Sequence, residues 1–164
     1  MRRILVIGCP GSGKSTFSRR LQERTGIPLF HLDQLNWNPD GTNVDRPVFQ
    51  ERLERVLRED RWILDGNYGG TMEQRFWACD TVFFLDYPLE VCLEGIRERR
   101  GKPRPDMPWV EDPGEIDAEF LEFVKSYPVQ GRPRVQELLR RYSQKEIHVF
   151  EGRAQAEAFL KRLS

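Results

Sequence analysis

The sequence predicts an α/β fold, a sheet of parallel strands covered by helices. Short apolar runs alternate along the chain with stretches whose apolar residues recur at helical spacing, the pattern of strand–helix–strand units. No internal repeat or low-complexity tract interrupts the alternation, and 164 residues are enough for one α/β core but not for two, so a single domain spanning 1–164 is expected.

The elements follow in order. Residues 3–7 form the first strand, and the helix after it carries Phe17 and Leu21 on one face until Gly26 stops it. A second short strand spans 28–32 and ends at Asp33. Phe49, Leu53, Val56 and Leu57 keep the helical interval between Pro47 and Asp60, and residues 62–64 make the third strand, ending at Asp65 and Gly66. The fourth strand spans 81–85 and ends at Asp86. Helical spacing returns at Leu89, Cys92, Leu93 and Ile96, again at Ile116, Phe120, Phe123, Val124 and Tyr127, and once more at Val135, Leu138, Leu139 and Tyr142. A fifth strand over 147–150 precedes a closing helix marked by Ala156, Phe159, Leu160 and Leu163.

The most specific motif lies between the first strand and the first helix: Gly8-Cys9-Pro10-Gly11-Ser12-Gly13-Lys14-Ser15. This is a Walker A phosphate loop in its proper setting, strand before and helix after. Glycines at Gly8, Gly11 and Gly13 let the backbone curl so that its N–H groups converge on a polyphosphate, and the helix N-terminus adds partial positive charge. Lys14 is expected to reach the β and γ phosphates of ATP, Ser15 to ligate the Mg²⁺ that bridges them, and Ser12 and Thr16 to complete the nucleotide-binding set.

In a parallel sheet, function collects beyond the carboxyl ends of the strands. Asp33, Asp65 and Asp86 each follow an apolar run and so share a rim with the phosphate loop. Asp65, followed by a glycine that permits close approach, is expected to hold Mg²⁺ directly or through water. Asp33 is placed to hold or deprotonate an acceptor hydroxyl, and Asp86 reads as a helix cap. Residues 97–134 are rich in arginine, proline and glycine and suit a flap over the phosphates. Of Arg97, Arg99, Arg100, Arg104, Arg132 and Arg134, two or three are expected to touch phosphate, the others forming solvated ion pairs with neighbours such as Glu94 and Glu98. Trp62 and Trp77 read as core, Trp37 as a wall of an acceptor pocket, and His31 as structural.

Composition narrows the classes further. Basic and acidic residues balance at 26 each, against a broad polyanion-binding surface. Three cysteines and two histidines without a paired spacing support neither a disulfide framework nor a zinc site, which favours a reducing cytoplasm. No apolar run is long enough for a signal core or a membrane span.

Laid end to end, the segments RRILVIGCPGSGKST, PLFHLDQLNW, DRWILDGNYGGT, DTVFFLDYP, RPDM and GRPR resemble the nucleoside-monophosphate-kinase-like branch of P-loop proteins, and within it the family called DNA topology modulation proteins. The resemblance implies a three-layer P-loop NTPase fold with a five-stranded parallel sheet of order 2-3-1-4-5, an acceptor-binding segment after strand two and an arginine-bearing lid after strand four. It gives Arg99 a phosphate role and likens Arg132 and Arg134 to the phosphate contacts that return after the lid. The match departs from adenylate kinases at two places. Asp65-Gly66-Asn67-Tyr68-Gly69 lacks the arginine that binds a monophosphate there, and Gly95 stands where those enzymes carry an adenine-stacking arginine.

The expected function is therefore transfer of the γ-phosphoryl of ATP-Mg to an unidentified small-molecule acceptor, with Lys14, Asp33, Arg99 and Arg132 as the catalytic set. Two other classes remain open: a nucleotide-dependent ATPase or regulator acting on DNA, and a nucleotide-binding module without turnover. Neither the acceptor nor the oligomeric state is written in the sequence.

Overall fold

The computed structural model describes residues 1–99 and 118–163. Five strands, β1 (Arg3–Gly8), β2 (Leu29–His31), β3 (Trp62–Asp65), β4 (Thr81–Leu85) and β5 (Glu146–Phe150), form one parallel sheet of order β2-β3-β1-β4-β5. Burial grades across it. The central strands β1, β3 and β4 are buried almost throughout, whereas the edge strand β5 is largely exposed or half-buried. Continuous apolar runs belong to strands covered on both faces, which is how the sequence marks the middle of the sheet.

Side chains alternate across a strand, so β1 feeds two separate cores. Ile4 and Val6 pack with Phe17 and Leu21 of α1 (Lys14–Thr25), Cys92 and Ile96 of α5 (Leu89–Arg99), Val124 of α6 (Ala118–Gln130) and Leu160 of α8 (Arg153–Arg162). Leu5 and Ile7 point the other way. They meet Leu53 of α3 (Arg46–Leu57), Met72 and Phe76 of α4 (Gly69–Ala78) and Leu138 of α7 (Arg132–Arg141). The result is the three-layer arrangement that the sequence predicts.

Gly26 ends α1 as expected, in a left-handed conformation with its N–H on the carbonyl of Gln22 at 2.8 Å. Three features differ from expectation. The second strand is shorter than 28–32, because the chain turns at Leu32 into a one-turn helix, α2 (Leu32–Asn36). Helix α4 shows in the sequence only as a helical pattern around Trp77, without bounds, since two glycines open it and Met72 and Phe76 mark its apolar face. Trp77 is 73% exposed rather than core: Phe76 takes the inward position, and the next residue lies about 100° further round the helix. Trp62, by contrast, is fully buried.

Candidate functional site

The phosphate loop takes its shape from its glycines and from what packs behind it. Gly11 and Gly13 both adopt positive φ, 87° and 93°, and Gly13 caps α1 from the left-handed region. A Cβ on Gly11 would stand 2.0 Å from the carbonyl oxygen of Cys92, and one on Gly95 would stand 2.1 Å from that of Gly11. Helix α5 thus lies directly against the loop, backbone to backbone, and Gly95 is there for contact.

Gly8 sits beneath the loop rather than on the cavity wall. Its carbonyl accepts the Lys14 ammonium at 3.1 Å and the Asn67 amide at 2.6 Å, while its N–H donates to Asn67 Oδ1 at 3.3 Å. Asn67 therefore buckles the turn after β3 to the start of the phosphate loop. Lys14 also donates to the carbonyl of Cys9 at 3.3 Å, and the Ser12 and Ser15 hydroxyls are buried with no hydrogen-bond partner. A buried hydroxyl left unpaired costs free energy. Two of them in a loop of this sequence fit phosphate and a divalent cation, with Ser15 and Asp65 as the protein groups that would hold magnesium.

In front of the loop opens a cavity of about 1080 Å³, lined by residues 10–16, by Asp33, Trp37, Asp65 and Tyr68, and by Arg99 and Arg134. Burial pushes the Lys14 ammonium below the ordinary lysine range and Arg99 pushes it further, against the opposing charges of Asp65 and Asp33. One basic group thus senses three of the predicted site residues, Arg99, Asp65 and Asp33.

The two rim carboxylates are held differently. Asp65, 4% exposed, is bonded through Oδ2 to His31 Nδ1 at 2.7 Å. Asp33 accepts the Tyr68 hydroxyl on Oδ1, and Tyr68 in turn accepts from Asn36 Nδ2 at 3.3 Å. Burial first, then the charge of Asp33, keeps the Tyr68 phenol well above the ordinary tyrosine range, so it remains a donor.

Asp86 is not a cap. Its two carboxylate oxygens receive Nε and Nη2 of Arg132 at 2.8 and 2.9 Å, a bidentate pair. Arg132 is consequently turned toward Asp86 instead of the cavity wall, where its neighbour Arg134 is found, with Glu73 at 3.8 Å and Glu137 at 3.6 Å. Arg100, Arg104 and the rest of residues 100–117 of the expected lid lie outside the described residues.

Arg75, not among the residues singled out from the sequence, is fully buried in α4. Its guanidinium donates to the carbonyls of Gly66 at 3.1 Å, Asn67, and Tyr68 at 2.9 Å, and to Thr71 Oγ1 at 3.3 Å. Burial lowers its pKa from the ordinary guanidinium value. A further cavity of about 860 Å³ at the amino ends of β1, β3 and β4, beside Arg2, Trp77 and Lys145, contains none of the predicted site residues. Among the described residues no helix is long and apolar enough to cross a membrane.

The chain is 26% identical over 139 residues to the adenylate kinase of Thermotoga maritima, a match covering 80% of this chain and 62% of that enzyme. It is 31% identical over 121 residues to the shikimate kinase of Baumannia cicadellinicola, covering 63% of this chain and 68% of that protein. The crystal structure of shikimate kinase from Bacteroides thetaiotaomicron superimposes with a TM-score of 0.62 at 18% identity, over 99% of this chain and 96% of that one, a likeness of fold. Residues 4–122, from the first strand into α6, match the family model described as AAA domain, and the chain belongs to that family.

Proposed function

We propose that this protein is an ATP-dependent phosphotransferase acting on a small molecule, with residues 1–164 as one catalytic unit and the segment 97–134 as its flap. The observation that carries the reading is a convergence: a phosphate loop with two unpaired buried hydroxyls and an Asp33–Tyr68 pair line the same cavity. A phosphate loop alone fits any nucleotide-binding protein; the carboxylate facing it gives an acceptor somewhere to bind. The kinase relatives support the same class, and they give no support to the alternative of a regulator acting on DNA.

The division of labour follows from the chemistry of phosphoryl transfer, which is chiefly positioning and electrostatics. Lys14 and the loop N–H groups hold the β and γ phosphates, and Arg99, close enough to perturb Lys14, adds charge where the transferring group's oxygens accumulate it. Magnesium, held by Ser15 and Asp65 together with phosphate oxygens, would supply further charge neutralisation. Asp33 accepts the proton of the acceptor hydroxyl, and the Tyr68 phenol, donating to Oδ1, helps to orient its carboxylate. Trp37 and Tyr68, the latter bonded by Asn36, form the flat, polar wall against which the acceptor lies. Arg132 enters the site only by leaving Asp86. Three free, buried cysteines favour a reducing cytoplasm as the place of work.

The test is a screen of nucleosides, nucleotides and small hydroxyl compounds for acceptor-stimulated ADP formation. An acceptor should raise ADP release, Lys14→Ala should abolish it, and Asp33→Asn should lower turnover more than ATP affinity. ADP release at one rate with every compound and with none would overturn the transferase reading.

A further inference from the structure

The buried guanidinium of Arg75 is the largest polar commitment in the described core outside the phosphate loop, and no carboxylate balances it among its hydrogen-bond partners, which are three consecutive carbonyls and one hydroxyl. Burying a cation is unfavourable unless the surrounding dipoles repay it. Three successive carbonyls reach one group only if the chain curls sharply. Gly66 at φ 130° and Tyr68 at φ 32° supply that curl, and Tyr68 is the one residue other than glycine with positive φ among the described residues. An aromatic side chain has no intrinsic preference for that region. The turn is therefore held in place by what grips it.

What the turn delivers are the two contacts that join the halves of the site. Asn67 buckles to both polar groups of Gly8, and the Tyr68 hydroxyl binds Asp33. We propose that Arg75 is the positioning residue of the acceptor side: by gripping the carbonyls of Gly66, Asn67 and Tyr68 it sets the Tyr68 phenol on Asp33 and the Asn67 amide on the phosphate loop. A planar fork with donors at fixed angles reaches several carbonyls at once, whereas a lysine ammonium at the same place serves them only in part. This inference rests on the reading that Asp33 faces the acceptor, but its first test needs neither acceptor nor nucleotide.

That test is a pH titration of the ring-carbon signals of ¹³C-labelled tyrosine, with the Tyr68 signal assigned by its loss in Tyr68→Phe. In the native protein the Tyr68 phenol stays protonated well above the ordinary tyrosine midpoint of about 10. In Arg75→Lys the midpoint falls toward that value as the ring leaves Asp33. Should Arg75→Lys fail to fold, Thr71→Val, which removes the hydroxyl that accepts from Arg75 Nε at 3.3 Å and donates to the Tyr68 carbonyl at 3.2 Å, loosens the same grip and gives a smaller shift of the same sign. With an acceptor from the screen, Arg75→Lys lowers kcat about tenfold and ATP affinity by less, since Lys14 and the loop glycines still shape the phosphate site. The double variant with Tyr68→Phe is then no slower than the worse single one, because both act through one contact. An unchanged Tyr68 midpoint, or losses that simply multiply, would overturn the assignment. A shifted midpoint in a protein with no acceptor would uphold the Arg75 contact and sink the kinase reading instead.

Discussion

Gly95→Ala sets two known effects against each other, and the structure decides between them. Within a helix, alanine is favoured over glycine by about 1 kcal/mol, so an unobstructed position would gain stability. Gly95 is obstructed. Its added Cβ would meet the Gly11 carbonyl oxygen at 2.1 Å and the carbonyl carbon at 3.1 Å, both backbone atoms of the phosphate loop. An ordinary carbon–oxygen contact is over 3 Å, so α5 and the loop must separate by about 1 Å, and overpacking of this kind costs about 1–3 kcal/mol. Net destabilisation of about 1–2 kcal/mol follows. Because the loop moves with the contact, ATP-Mg affinity should fall about tenfold or more, a 1 Å misplacement being enough to spoil phosphate geometry. Urea unfolding monitored by tryptophan fluorescence gives the first quantity and calorimetric titration the second. Gly152→Ala is the control: nothing lies within 4 Å of its Cβ and its extended φ of −161° suits any residue, so only the poorer capping by alanine at the start of α8, about 0.5–1 kcal/mol, is at stake, with ATP affinity unchanged. A Gly95→Ala protein more stable than the native one, with unchanged ATP affinity, would refute the backbone contact between α5 and the loop.

The remaining predictions concern burial and charge. Trp62→Ala should cost about 3–5 kcal/mol in denaturant unfolding, as for any large core residue, while Trp77→Ala should stay within about 0.5 kcal/mol because that ring is exposed. Burial alone would raise the Asp80 pKa, but hydrogen bonds from Thr81 Oγ1 and the amides of Arg3 and Arg2 outweigh it and hold the carboxyl below its usual value. A depressed folded-state pKa contributes stability that is present above the unfolded value of about 4 and lost as pH falls through the folded one, so the stability gap between native and Asp80→Asn proteins should close below about pH 4. A gap constant from pH 7 to pH 2 would contradict this. Asp86→Asn frees Arg132 from its bidentate partner and should leave ATP affinity equal or higher in calorimetric titration, whereas a marked loss would mean that Asp86 itself serves the nucleotide.

The alternation of strands and helices and the phosphate loop were legible because they follow from local patterns, whereas the sheet order came from the resemblance to P-loop kinases. The apolar run over 81–85 coincides with β4, and the glycine spacing of the loop corresponds to positive φ at Gly11 and Gly13. What stayed hidden depends on partners far away in sequence. Asp86 looks like a cap until Arg132, 46 residues on, is folded against it. Arg75 looks like one more solvated charge, since neither periodicity nor composition tells that three carbonyls are waiting for it. Helix α4 was legible only as a helical pattern around Trp77, because its glycines weaken the local signal and the fold supplies its stability through Met72 and Phe76. A signal for Arg75 did exist in principle, at the spacing that puts it on the same helical face as Met72 and Phe76.

The most direct measurement is calorimetric titration of the protein with ATP and magnesium, on the native chain and on Lys14→Ala. Saturable heat at one site per chain, weakened about 100-fold or more when the ammonium that spans the loop is removed, is the predicted result. No heat from the native protein at millimolar ATP-Mg, or equal affinity in the variant, would contradict it.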